Sequence, residues 1–578
     1  MVRRRPRRDS GASSRALLCA VPATLVALAA GWSRRWVAED GFIYLRIARN
    51  IASGNGPVFN PGERVEAATG TIWVWALAVL HQVSSVRLEW LAVALGLCCT
   101  AGALVVTQVA SASWWRRGMA STWWLPAGAA VVALWPPAWD FTTSGLEGSL
   151  ALLWVAATWW VLVHGGSTWR PRARLEVVLL TSSWLVRPDL ALMGAVALVG
   201  WWRSRPDRRS QRVADLVLGS LPVAAVQLAR MAYFAALAPT PALAKEGTRV
   251  RIDRGLSYLW DAGRPYGTWV FVAVTVAALA WLTLRRAAGP GFPAWTITTA
   301  GLVHLAYVAA VGGDFMHGRM AIPGVFAVVA TWAAVLPLRR VAVGVSAVVV
   351  LAAAVVAVVG RPPPNNPIIT DERAYWVGLS RNEHPVVVED YLSVEWPQTE
   401  VAQRAAASLA LGERGLWILD RGRPVFLPGP LDVDQPVAVE SYNIGIPGFS
   451  VPGEVYVADQ LGLANPVVAR LEPTPGPKIG HEKNGGAWTT ATLDPDAAAL
   501  AEVRRTPPEV VVGAVDAVRC SWLGELRRTI SDDLTATTAL RGVLRAIPWW
   551  FRRIPTDPLA AERELCDGEP VPDGAPPG

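Results

Sequence analysis

Residues able to do chemistry gather at a few places in this chain of 578 residues. Glu39 and Asp40 stand side by side just after the first apolar run, and Phe42, Leu45, Ala48 and Ala52 then recur at helical spacing. Such a pair either complements the positive end of a helix dipole as an N-cap pair or offers a carboxylate that can take a proton. Glu147, after Thr142-Thr143-Ser144-Gly145-Leu146, is either a second acid or a solvated loop residue. Arg187 precedes Pro188 and Asp189 within apolar sequence, where an arginine is costly and reads as functional unless Asp189 or Glu147 pairs with it. Lys245 closes the loop Pro239-Thr240-Pro241-Ala242-Leu243-Ala244-Lys245. Gly312-Gly313 permits close backbone approach or a left-handed turn. The Asp314, His317 and Arg319 that follow can bind phosphate, sugar hydroxyls or a cation, or form an ordinary polar connector. His81 reads as a membrane-surface residue.

The elements that must position these groups are mostly apolar. Hydrophobic residues make up 52% and charged residues only 17%, with a mean hydropathy of +0.31. A soluble domain carries about 25% charged residues, so an ordinary cytosolic enzyme is excluded. The net charge of +8 sits in short arginine clusters between apolar runs, a membrane-topology pattern and not a nucleic-acid face. Many of the 30 tryptophans lie near the ends of those runs, where interfacial anchoring explains them.

The basic N-terminus (1–15) is expected in the cytoplasm with a retained first helix, together with Arg116-Arg117, Arg170 to Arg174, Arg203 to Arg212, Arg285-Arg286 and Arg339-Arg340. Crossings are then expected near 16–32, 88–113, 119–137, 149–165, 175–187, 189–203, 213–238, 265–284, 294–312, 319–337 and 340–360, about eleven in all. The pair 175–187 and 189–203 is short for full spans and hinged at Arg187-Pro188. The run Thr71 to Val83 is read as an interfacial or re-entrant helix, because about 13 residues are too few to span. The fold class is therefore a polytopic α-helical membrane protein. Residues 16–360 form the transmembrane domain, with a first outer loop over 31–87. A soluble domain of mixed α/β or β-rich character follows over 361–578 on the outer side. It opens with the linker Arg361-Pro362-Pro363-Pro364-Asn365-Asn366-Pro367. Short runs at Pro385–Glu389, Leu416–Leu419 and Val455–Ala458 read as strands, and Glu400 to Leu411 as a helix. If this domain is extracytoplasmic, Cys520 and Cys566 can form a disulfide.

An acidic pair after the first transmembrane helix, then an amphipathic loop helix, resembles the GT-C superfamily of polyprenyl-phosphate-dependent glycosyltransferases. Glu39 to Asn50, Val58 to Glu66, Ser144-Gly145-Leu146-Glu147, Arg187-Pro188-Asp189 and Gly312 to Arg319 resemble its actinobacterial terminal β-(1→2) arabinofuranosyltransferase branch. So do Ala458-Asp459-Gln460-Leu461-Gly462-Leu463 and Gly480-His481-Glu482-Lys483 in the tail. The resemblance covers most of the chain and implies a GT-C fold in the plasma membrane. The implied reaction moves arabinofuranose from decaprenyl-phosphoryl arabinose to the 2-hydroxyl of an arabinan chain end, building cell-wall arabinogalactan on the periplasmic face.

That reaction needs a carboxylate to accept the hydroxyl's proton and cations to stabilise the departing phosphate. Asp40 matches the base, with Glu39 second. Lys245, Arg187, His317 and Arg319 are the donor-phosphate candidates, and Glu147 and Asp314 are candidates for a second acid or sugar ligand. Related sequences usually have Asn at Thr240 and an aromatic near Leu243, so this loop departs from the pattern. A β-linked donor giving a β-linked product means net retention, which needs a carboxylate nucleophile or a front-side route. No cofactor is implied, and a Mg²⁺ or Ca²⁺ site built from outer carboxylates stays open. Trp376, Trp396, Trp417, Trp488, Trp522, Trp549 and Trp550 either stack on sugars or fill the core of the tail domain. Competing classes are a GT-C enzyme for another sugar such as mannose, a lipid-linked saccharide transporter and a non-catalytic assembly factor. Transport calls for paired broken helices, and only Arg187-Pro188 provides one.

Overall fold

The computed structural model describes residues 10–115, 124–166, 169–246, 250–285, 291–335, 344, 347, 349–355, 360, 368–392, 395–474 and 478–566. The arginines at 3–8, Arg116-Arg117, Arg286, Arg339-Arg340, most of the expected crossing 340–360 and the linker 361–367 lie outside them. The chain divides into two units: Met1–Trp36, Val93–Val223 and Arg251–Asn365 form one, and Val37–Ala92, Ala224–Val250 and Asn366–Gly578 the other. Residues 37–92 thus share a unit with the C-terminal tail.

The first unit is helical because its sequence is a series of apolar runs broken by Pro, Gly and charge. Among the described residues of the chain, the helices Leu88–Trp115, Arg209–Phe234 and Gly291–Val311 are long and apolar enough to cross a membrane. Ile252–Tyr266 and Thr268–Leu284 add a fourth candidate, bent by 93°. Gly267 makes that bend with φ +59°, a conformation that glycine adopts without strain. Leu18–Ser33, Thr71–Val83, Gly148–His164 and Arg319–Trp332 are shorter apolar helices. Among the described residues, several of the expected crossings are interrupted. Within 119–137 the described helix is only Ala127–Ala133, and a second begins at Pro136. The run 175–187 splits into Arg170–Thr181 and Ser183–Val186, and the chain turns again at Arg187 before Ala191–Ser204.

In the second unit, Glu39–Ala52 and Thr71–Val83 are helices at the expected places. The tail is mixed α/β and not β-rich. Its sheet has the order β2-β1-β3-β4, with β1 Gly415–Asp420, β2 Arg423–Pro428, β3 Val437–Ser441 and β4 Val455–Asp459. A two-residue turn joins β1 to antiparallel β2, and both Arg421 and Gly422 have positive φ, as such hairpins require. Strands β1, β3 and β4 run parallel, and every residue of β3 and β4 is buried. The helix expected over 400–411 spans Pro397–Ala410. The run 385–389 is not a strand; it leads into the short helix Glu389–Leu392, where Asp390 accepts from the amides of Val386 and Val387. Trp376, Trp488, Trp522, Trp549 and Trp550 are buried, so core filling accounts for them. Cys520 and Cys566 form a disulfide.

Candidate active site

Two carboxylates adjacent in sequence serve different ends in the second unit. The helix Glu39–Ala52 has Ala38 at its N-cap position with no side-chain cap, so the N-cap pair expected at 39–40 is not formed. Glu39 and Asp40 lie in the first turn, where the dipole still favours them. Glu39 is buried and its carboxylate accepts from the backbone N–H groups of Gly445 (2.5 Å) and Ile446 (3.3 Å). Burial, with the charge of Asp40 next to it, pushes its carboxyl well above the usual range. Asp40 keeps 14% side-chain exposure, and its Oδ2 lies 3.5 Å from Lys245 Nζ.

Lys245 is placed by the two residues around it. Its own backbone N–H donates to Pro241 O, closing the short helix Thr240–Ala244. Its neighbour Glu246 is held by the buried Lys483 ammonium (2.5 Å) and by Arg553 (3.4 Å). The Lys245 stem lies along Gly480, where an added Cβ would come within 3.2 Å of its Cγ. Next to that glycine, His481 points its Nδ1 at Ile479 O (3.1 Å). Burial, then Lys478, lowers His481 to about 4, and the charges of Lys245 and Asp40 also reach it. The ring is therefore neutral near pH 7. The Gly-His-Glu-Lys motif thus supports Lys245 twice, through Gly480 and Lys483, and adds an imidazole that the charge of Asp40 reaches.

The other resembling segments of this unit are scaffolding. Arg46 is fully buried and donates to the carbonyls of Phe59, Gly448 and Val455, and to Asn60 Oδ1. Burial, with Arg49 alongside, pulls it down to about 9. Arg49 donates to Phe449 O and Val451 O, and Asn50 to Val58 O and Phe59 O. Glu66 accepts from Arg230 (2.7 Å). Asp459, pushed up to about 6 by burial, accepts from the amides of Leu461 and Ala464 and so shapes the loop after β4.

The first unit holds its own polar clusters. Arg187 contacts Asp189 (3.0 Å) and Glu147 (3.6 Å), so both partners weighed for it are present. Asp189 also meets His304 Nε2 at 2.9 Å. Gly312 and Gly313 have φ of +93° and +77°, and a Cβ on Gly313 would come within 2.3 Å of Tyr258 Cγ. That turn sets Asp314, which binds Arg319 (2.6 Å) and its own neighbour's Phe315 N–H. His317 lies between Asp261 (2.6 Å) and Tyr266 OH (3.2 Å). Arg319 is close enough to Arg187 for their charges to repel.

Of the candidates, the second unit brings together Glu39, Asp40 and Lys245, while Glu147, Arg187, Asp314, His317 and Arg319 belong to the first. Sequence reasoning missed His304 and Tyr442, and named His481 only as part of the Gly480–Lys483 motif without a role. An ionisable residue inside an apolar run was the available signal for His304. Tyr442, 40% exposed and directly after the buried β3, left only the end of an apolar run as a clue. Among the described residues no three His, Cys, Asp or Glu side chains converge as a metal-binding set.

Residues 429–543 match the AftB family C-terminal domain. A terminal β-(1→2)-arabinofuranosyltransferase of Corynebacterium glutamicum is 33% identical over 524 residues, covering 81% of this chain and 75% of that protein. One of Mycobacterium tuberculosis, with the same name, is 32% identical over 517 residues, covering 78% and 81%. No solved structure matches.

Proposed function

This chain belongs to the family of terminal β-(1→2)-arabinofuranosyltransferases, and we propose from that premise that decaprenyl-phosphoryl arabinose is its donor and an arabinan end its acceptor. It is a membrane glycosyltransferase, and neither relative's name favours a transporter or a mannosyl donor. Transfer takes place on the outer side of the plasma membrane in a GT-C fold. The Cys520–Cys566 disulfide supports that side for the tail, since such bonds persist in oxidising compartments.

The observation that carries the mechanism is the 3.5 Å separation of Asp40 and Lys245. A base acting opposite the leaving group would stand across the sugar ring from the cation that binds the phosphate. Here base and cation are neighbours, which fits attack and departure on one face and so net retention. The acceptor hydroxyl's proton goes to the Asp40 carboxylate, its oxygen bonds to the anomeric carbon, and the bond to phosphate breaks with the electron pair leaving on phosphate. Lys245 stabilises that charge. Glu39 is committed to backbone amides and acts by positioning Asp40, not as a nucleophile.

For Arg187, His317 and Arg319 the pairing with Asp189, Asp261 and Asp314, in that order, favours a second reading: polar contacts that close breaks in apolar helices. As phosphate ligands they would first have to exchange those partners. The test is transfer by the purified full-length protein with decaprenyl-phosphoryl arabinose and a synthetic arabinan acceptor. A β-(1→2)-linked product by NMR supports the assignment. No product from this donor, but product from a mannosyl donor, overturns it.

A further inference from the structure

A base at Asp40 acts only if something holds the acceptor's ring beside it. Tyr442 follows β3 and is 40% exposed, although the backbone around it is pinned. Ser441 Oγ and Asn443 N–H both donate to Gln398 Oε1 (3.2 and 2.8 Å), and Ser441 O accepts from Gln460 N–H. An exposed aromatic on a fixed backbone is presented to solvent, not loosely packed. Its ring lies 5.6 Å from that of His481, tilted by 37°. Both rings are tied to the reacting pair within the same unit. His481 follows the glycine that bears the Lys245 stem, and Tyr442 lies three residues before Gly445, whose N–H binds Glu39. With Nδ1 donating to Ile479 O, Nε2 is the acceptor nitrogen of the neutral imidazole.

We propose that the Tyr442–His481 face is the acceptor subsite, taking the terminal pentose ring of the glycan and presenting its hydroxyl to Asp40. The apolar C–H face of a furanose covers the Tyr442 ring, and His481 Nε2 accepts from a ring hydroxyl. The subsite rests on the transfer reaction proposed at Asp40, but acceptor binding can be measured without it.

The test uses the full-length protein in detergent with a synthetic arabinofuranosyl oligosaccharide. Losing the ring's contact area should raise the acceptor KM about tenfold in Tyr442→Ala. The donor KM should stay within about twofold, and Tyr442→Phe, which keeps the ring, should resemble the wild type. His481→Ala should also raise the acceptor KM selectively. An equal rise in both KM values, or an unchanged acceptor KM in a variant that melts like the wild type, overturns the subsite. Binding of the oligosaccharide without donor, read by saturation-transfer NMR, separates the two readings. If Asp40→Asn proves fully active, the base is wrong, while loss of binding in Tyr442→Ala still supports the subsite. Wild-type binding by Tyr442→Ala ends it.

Discussion

Glu39 and Asp40 have the same functional group one residue apart, and their surroundings separate their roles. A buried carboxylate that accepts backbone N–H groups is a structural joint: Glu39→Ala leaves two amides unsatisfied and should cost about 1–3 kcal/mol, read as a lowered Tm. Glu63 shows a second consequence of burial. Burial pushes its carboxyl up to about 7 from the ordinary 4.5, against the hydrogen bond from Tyr456 OH. A carboxyl raised in the folded state is at no disadvantage below about pH 4.5 and destabilises progressively as pH rises toward 7. Glu63→Gln, which still accepts from Tyr456, should therefore gain up to about 3 kcal/mol at pH 8 and nothing at pH 4. Thermal melts at the two pH values check it; an equal gain at both would mean that ionisation is not the cause.

Among elements, the broken helices around Arg187 depend on charge pairing. Arg187→Ala removes the guanidinium from the buried Asp189 and Glu147 carboxylates and should destabilise by about 3–5 kcal/mol, whatever it does to catalysis. An unchanged melting profile with lost donor binding would instead favour the phosphate role. Periodicity made the helix Glu39–Ala52 legible, because an apolar stripe repeats every three to four residues whatever packs on it, while Thr71–Val83 was legible from an apolar run too short to span. It also showed β1 and β4, whose apolar runs are bounded by turns. Arg423–Pro428 was illegible as a strand: it begins Arg-Pro and ends in Pro, and is stabilised by pairing with β1 across a hairpin. The breaks inside apolar runs were hidden too, since hydropathy does not register a Gly267 in left-handed conformation or a Ser182 between two helices. Asp40 and Lys245 were legible as types, but their 3.5 Å approach depends on residues 205 positions apart. His481 joined them only through the close packing of Gly480 on the Lys245 stem.

For the molecule as a whole, sidedness and reaction stand together. The disulfide closes a loop of 46 residues, and replacing both cysteines by serine should cost about 4 kcal/mol. In a background without Cys19, Cys98 and Cys99, a cysteine at Gly54 should react with an impermeant reagent from outside intact cells, and one at Arg208 should not. Reversed labelling would place the proposed site on the wrong face. The most direct measurement is the rate of arabinofuranosyl transfer by full-length wild type, Glu39→Gln and Asp40→Asn under saturating donor and acceptor. Asp40→Asn should lose about 10²–10⁴-fold in kcat, while Glu39→Gln, still able to accept from Gly445, keeps kcat within about tenfold. Wild-type turnover by a folded Asp40→Asn protein would contradict the assignment of that carboxylate as the base.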